Sequence, residues 1–125
     1  MTYIISLGSN EEREKNLSLA RKRLEELFPD ICFSNEEETL PIRFHRMNMF
    51  SNQLACFVSD ANDTEIISRL KTIEEEAGRT MQEKAKEIVR LDIDLLSCDG
   101  KIYKYDDWDR DYVQRGLEQL ENKIK

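Results

Sequence analysis

Arg90-Leu91-Asp92-Ile93-Asp94-Leu95-Leu96 is an apolar run with two aspartates set into it at a spacing of two. Side chains alternate faces along a β-strand, so Leu91, Ile93 and Leu95 share one face, and Asp92 and Asp94 share the other, about 7 Å apart. Aspartate is disfavoured in strands, and two neighbours on one face repel each other. A cation between them relieves that repulsion. A pair of hard metal ions carrying a polyphosphate is the ligand this chemistry suggests. A solvated face on an edge strand fits the same pattern.

Working outward from this strand gives the order of elements. Upstream lies a charged loop from Arg79 to Ile88, and before it Gly78, a helix-ending glycine. The helix it ends begins at Asn62-Asp63-Thr64-Glu65, with a capping-box glutamate, and buries Ile66, Leu70, Ile73 and Ala77. Ser51 to Ser59 reads as a strand, with Leu54, Cys56 and Val58 opposed to Ala55 and Phe57 in a largely buried pattern. Ile42 to Met49 reads as a loop. Ile31 to Phe33 begins another strand that resumes at Glu38-Thr39 and is ended by Pro41. A helix with Leu17, Ala20, Leu24 and Leu27 or Phe28 at steps of three and four stops at Pro29-Asp30. Tyr3 to Leu7 is the first strand, with a turn at Gly8-Ser9-Asn10. Downstream, Asp99-Gly100 closes the aspartate strand, and a terminal helix from Trp108 carries Tyr112, Val113, Leu117, Leu120 and Ile124. The order β-α-β-β-α-β predicts an α+β, ferredoxin-like βαββαβ sandwich with an additional C-terminal helix. Its central strands are the first and third, both helices cover one face, and the other face is open to a ligand.

The chain has 125 residues, enough for one domain spanning 1–125. A net charge of -7 argues against a nucleic-acid groove, which needs clustered Lys and Arg. No apolar stretch reaches the length of a membrane span, and Met1-Thr2-Tyr3-Ile4-Ile5 lacks a signal-peptide pattern, so the expected location is the cytoplasm. Cys32, Cys56 and Cys98 are odd in number and widely spaced, and read as buried reduced thiols. His45 is the only histidine, which excludes zinc sites built on several histidines.

Several segments together resemble the 6-hydroxymethyl-7,8-dihydropterin pyrophosphokinases of folate synthesis. They are Tyr3-Ile4-Ile5-Ser6-Leu7-Gly8-Ser9-Asn10, Glu38-Thr39-Leu40-Pro41, Phe50-Ser51-Asn52, Ile73-Glu74 with Gly78-Arg79, and the Arg90 to Leu96 run, in the family's order and near its spacings. The resemblance implies pyrophosphoryl transfer from ATP, the co-substrate, to the hydroxymethyl group of a reduced pterin. Asp92 and Asp94 would hold two Mg2+ ions bridging the ATP phosphates, with Arg79 and Arg110 near those phosphates. Asn52 would hydrogen-bond the pterin, Phe50 and Tyr112 would sandwich its ring, and Thr39 and Ile42 would line its pocket through backbone groups. Glu74, Lys84, Lys86 and Arg90 would serve the nucleotide. The small-molecule pterin and ATP are the expected partners, with no nucleic acid, no membrane and a monomeric chain.

Several features depart from the family pattern: Arg43 and Met47 stand where the resemblance leads us to expect a glycine and a glutamine in the pterin loop, the C-terminus stops early, and two further segments differ. Between Arg79 and Asp92 only Lys84, Lys86 and Arg90 are basic, where the family usually carries more arginines, a tryptophan and Gly-Pro. Tyr103-Lys104-Tyr105 replaces a proline-histidine segment. A non-catalytic pterin- or nucleotide-binding relative on the same scaffold is therefore the competing expectation, and an interaction module without a small ligand is the third.

Overall fold

Alternation along the first strand, β1 (Thr2–Ser9), sends Tyr3, Ile5 and Leu7 to one face, where all three are fully buried. The computed structural model describes residues 1–41 and 44–124. After β1 come α1 (Arg13–Leu27), β2 (Cys32–Phe33), β3 (Glu37–Thr39), β4 (Phe50–Val58), α2 (Asp63–Glu76), α3 (Met81–Ala85), β5 (Asp92–Cys98), β6 (Lys101–Ile102), α4 (Tyr105–Trp108) and α5 (Asp111–Ile124). The sheet runs β2-β4-β1-β5-β6, with β3 also on β4, and every pairing is antiparallel. β1 and β4 are central, as the βαββαβ order requires.

The helices α1 and α2 lie on the Tyr3 face. Leu17, Ala20 and Leu24 of α1 and Ile66, Leu70 and Ile73 of α2 close over Ile5, Leu7, Ile93, Leu95 and Phe57. Each fully buried Leu or Ile contributes about 1.5–3 kcal/mol. Phe28, not the half-exposed Leu27, completes the α1 stripe by stacking on Phe57 at 3.9 Å. Asn62 caps α2 by accepting from the Glu65 N–H at 3.0 Å.

The opposite face is only partly covered. There α5 packs Tyr112, Val113 and Leu120 against Leu54, Cys56 and Leu96. Leu96 is an extra residue between the Ile5–Leu95 and Ile4–Ser97 pairs, a bulge that resets the alternation and returns Cys98 to the Tyr3 face.

Four expectations need correction. Val58 is 69% exposed, because although it still pairs with Thr2 it lies beyond the part of that sheet face which α5 covers. Of the cysteines only Cys56 is buried; Cys32 and Cys98 sit near strand ends and are half-buried, and all three are free thiols. The segment expected to be a loop from Arg79 holds α3, whose N-terminus Thr80 caps by accepting from Glu83 N–H at 3.2 Å. The terminal helix starts at Asp111 rather than Trp108, after the separate turn of α4. Among the described residues no helix is long and apolar enough to cross a membrane.

At Gly116 the backbone of α5 comes close to β4, and a Cβ there would sit 2.8 Å from both Cγ and Cδ1 of Leu54. On a free helix Gly→Ala stabilises by up to about 1 kcal/mol. Here overpacking wins: Gly116→Ala is expected to destabilise by about 1–3 kcal/mol, read as a lower urea midpoint. A stabilised variant would mean that α5 does not pack this closely.

Candidate active site

Gly8 lies between Asn52 of β4 and Asp92 of β5 in one cross-strand row, and Ser6 pairs with Asp94. Asn52 and Asp92 are thus two strand spacings apart, about 10 Å. The missing side chain at Gly8 leaves a hollow between them, for a Cβ there would come 3.3 Å from Asn52 Oδ1. This hollow is the floor of a cavity of about 200 Å³ on the sheet face away from α1 and α2, which Asp94 also lines. Thr39 at the end of β3, Leu40 just beyond it, Phe44 and Phe50 form one wall, and Asp107, Arg110 and Tyr112 form the other.

The walls are built from local contacts. Thr39 pairs with Phe50 across the β3–β4 ladder, and the Asn52 amide donates to Thr39 Oγ1 at 2.6 Å. That leaves Asn52 Oδ1 and a second amide hydrogen for a ligand. Phe44 meets Phe50 edge-on at 5.5 Å. The Arg110 guanidinium lies over the Tyr112 ring at 4.6 Å, a cation–π contact that fixes both.

A second cavity of about 410 Å³ opens along the outer edge of β5. β6 pairs with Ser97 and Cys98, and the Tyr103 N–H donates to the Leu96 carbonyl, so among the described residues Asp92 to Leu95 have no neighbouring strand on that side. Ile67, Leu70, Lys71 and Glu74 from α2, with Arg79, Leu95, Tyr103 and Lys104, line this cavity. Asp92 and Asp94 line both cavities and stand at their junction.

Each aspartate has its own cation. Arg79 Nη1 donates to Asp92 Oδ1 at 2.8 Å, to Glu74 Oε2 at 2.9 Å and to the Leu91 carbonyl at 3.3 Å. Lys104 Nζ donates to Asp94 Oδ1 at 3.0 Å. Glu74 Oε2 also accepts from the Ile93 N–H at 2.7 Å. Burial pushes Glu74 up to about 7, outweighing those donors. Burial and the neighbouring charge of Asp92 push Asp94 up to about 6. Burial also acts on Asp92, but there the Arg79 hydrogen bond wins and holds the carboxyl below its usual range. Three carboxylates facing two cations leave an excess negative charge, which is what makes the junction receptive to further cations.

The donor set fits magnesium that arrives with a polyphosphate. Among the described residues no group of three or more His, Cys, Asp or Glu side chains is arranged to hold a metal by itself. Magnesium is commonly held by one or two carboxylates, with substrate phosphates and water completing its octahedron. Asp92 and Asp94 supply the carboxylates.

Of the residues singled out from the sequence, Thr39, Phe50, Asn52, Asp92, Asp94, Arg110 and Tyr112 come together in the first cavity, and Glu74 and Arg79 line the second. Lys84, Lys86 and Arg90 line neither. Arg90 is committed elsewhere, with Nε on Glu83 at 2.8 and 3.0 Å and Nη1 on Glu12 at 2.7 Å. Ile42 lies outside the described residues. Lys104 was missed by sequence reasoning. Its approach to Asp94 depends on the hairpin turn at Asp99-Gly100, and that dipeptide was the available signal.

An antiparallel βαββαβ sandwich with two carboxylates at the meeting point of two cavities on its sheet defines a ferredoxin-like α+β domain. The family model for 7,8-dihydro-6-hydroxymethylpterin-pyrophosphokinase matches residues 4–122, nearly the whole chain, and the chain belongs to that family. Its class is therefore that of pyrophosphokinase transferases, which act in folate synthesis. Comparison with curated proteins gave no match. Among solved structures the chain is similar to a de novo designed protein with a ferredoxin fold, solved by solution NMR, at 13% identity and a TM-score of 0.35, over 84% of this chain and 93% of that one. A likeness that slight adds nothing to the topology described above.

Proposed function

We propose that this chain transfers the pyrophosphoryl group of ATP to the hydroxymethyl group of 6-hydroxymethyl-7,8-dihydropterin, releasing AMP, with two magnesium ions. The observation that carries the reading is that Asp92 and Asp94 line both cavities. A pterin on one side and a nucleotide on the other would bring hydroxyl and phosphate together over these carboxylates.

On the pterin side Asn52 offers an amide group that both donates and accepts, and Phe50 and Tyr112 offer ring faces. On the nucleotide side the base is proposed to lie along the open edge of β5. The Ile93 N–H points outward to Glu74, so Leu95, two residues on, turns its N–H and C=O to the same edge. Arg79, Lys104 and Arg110 are the cations within reach of a phosphate chain. When bound, magnesium would neutralise the phosphates and polarise the β-phosphorus. The hydroxyl oxygen forms the new bond to that phosphorus, the bond to the oxygen bridging the α-phosphorus breaks, and AMP leaves with its electron pair. The hydroxyl proton passes to solvent.

The non-catalytic reading draws its support from Arg90, whose pairing with Glu83 and Glu12 leaves the phosphate side short of cations. Chromatographic detection of AMP from ATP, magnesium and the reduced pterin separates the two. No AMP together with pterin binding would establish the binding-only relative. Calorimetry of the pterin, in magnesium and a non-hydrolysable ATP analogue, then tests the pocket. Asn52→Ala is expected to cost about 1–3 kcal/mol, roughly fivefold to 150-fold in affinity. If the unmodified chain binds no pterin at all, both readings fall.

A further inference from the structure

On the sheet face beneath α5, Cys32 of β2 stands directly opposite Cys56 of β4. The Ser34 N–H donates to the Leu54 carbonyl at 2.9 Å. Pairs two residues apart share a hydrogen-bonding type, so Cys32 and Cys56 form a hydrogen-bonded pair, with Cα atoms about 5.5 Å apart. That distance lies inside the window of about 4.4–6.8 Å seen for the Cα atoms of disulfides. A hydrogen-bonded pair holds its Cβ atoms about 5.5 Å apart, however, so closing the bond must draw the short strand β2 toward β4 and leaves a strained, readily reduced disulfide. Both side chains belong to one apolar cluster, Cys56 buried and Cys32 at its half-buried margin. The third cysteine has no such neighbour: Cys98 pairs with Tyr3 on the α1 and α2 side of the sheet.

We propose that Cys32 and Cys56 are a dithiol–disulfide pair, oxidised by small-molecule disulfides such as oxidised glutathione, which links the edge strand β2 to β4 and closes residues 32–56 into a covalent ring. Cys32, the more accessible thiol, attacks one sulfur of oxidised glutathione as its thiolate and releases one glutathione. Cys56 then loses its proton, attacks the Cys32 sulfur and releases the second glutathione. Two protein thiols and one glutathione disulfide become one protein disulfide and two glutathiones. Burial and the adjacent Cys32 push the Cys56 thiol up, which leaves it a poor first nucleophile and assigns it the resolving step. β2 is only two residues long, so the local opening that admits the oxidant disturbs a small part of the sheet. The ring would carry Thr39, Leu40, Phe44, Phe50 and Asn52, five residues of the first cavity.

The test is incubation of the full chain with oxidised glutathione, followed by thiol titration and peptide mapping under non-reducing conditions. The expected result is the loss of two thiols, a mass lower by about 2 Da, and a Cys32–Cys56 linked peptide with Cys98 still reducing. Cys98→Ser should form the same link. Cys56→Ala and Cys56→Ser should instead hold one glutathione on Cys32, and neither should show the rise in melting temperature that oxidation gives the unmodified chain. Three titratable thiols after oxidation, or a glutathione adduct on Cys32 that persists while Cys56 is present, would overturn the proposal.

Discussion

Asp92→Ala and Asp94→Ala are each expected to lower the rate of magnesium-dependent pyrophosphoryl transfer by on the order of a hundred- to a thousandfold, and to abolish the magnesium-dependent part of nucleotide binding. The two carboxylates are what the chain offers a magnesium polyphosphate at the junction of its cavities. Removing one preorganised charge from such a site costs about 3–4 kcal/mol in the transition state. The fold should survive. Asp94 is pushed up to about 6 by burial and by Asp92, so its removal relieves a strain. The side chain of Asp92 is 38% exposed, which limits what its pairing with Arg79 contributes to stability. The measurement is AMP formation, with titration of a non-hydrolysable ATP analogue with and without magnesium. Nucleotide affinity in magnesium that is unchanged in both variants would remove the assigned role.

Arg79→Met should produce the largest loss of stability of any single substitution around the site, about 2–3 kcal/mol at pH 8. One guanidinium nitrogen serves Glu74, Asp92 and the Leu91 carbonyl, and the variant leaves two carboxylates facing each other without it. The sign of the pH dependence follows from Glu74. Its folded value, about 7, stands above the ordinary 4.5, so between those values the folded chain holds more protons than the unfolded one. Stability in that window therefore falls as pH rises. Without Arg79, Glu74 rises further and Asp92 loses the hydrogen bond that holds it down, so the fall steepens and extends above pH 7. Urea midpoints of variant and parent should lie far apart at pH 8 and draw together near pH 5. An equal gap at both would show that Arg79 does not neutralise this pair.

The elements that alternation and helical spacing can specify were legible before any coordinates. Leu91, Ile93 and Leu95 are buried and Asp92 and Asp94 turn the other way, as a period of two demands. Asn62 caps α2, and Leu17, Ala20 and Leu24 are buried on α1, because local chemistry and an apolar stripe agree there. The short elements α3, β6 and α4 were not legible, since two to five residues carry too little periodicity and are fixed by their surroundings. Arg90 shows the same limit within the candidate site. Counted by twos it joins Asp92 and Asp94, but the chain bends at residue 90, after a left-handed Glu87, and turns the guanidinium to Glu83 and Glu12. Lys104 is the converse, a residue whose only signal was the Asp99-Gly100 turn that carries it to Asp94.

The unpartnered outer edge of β5 also bears on how copies of this chain behave toward one another. An exposed strand edge is a template onto which another molecule's strand can add, and the usual protections are charge, brevity or a covering element. Here the protection is in the side chains and in Glu74, which occupies the outward N–H of Ile93 while Arg79 and Lys104 stand over the aspartates. A strand whose edge must admit a small molecule cannot be capped by a neighbour. If the cleft works as proposed, the charges that serve its chemistry are also the ones that oppose strand-to-strand addition, so replacing them is expected to promote self-association.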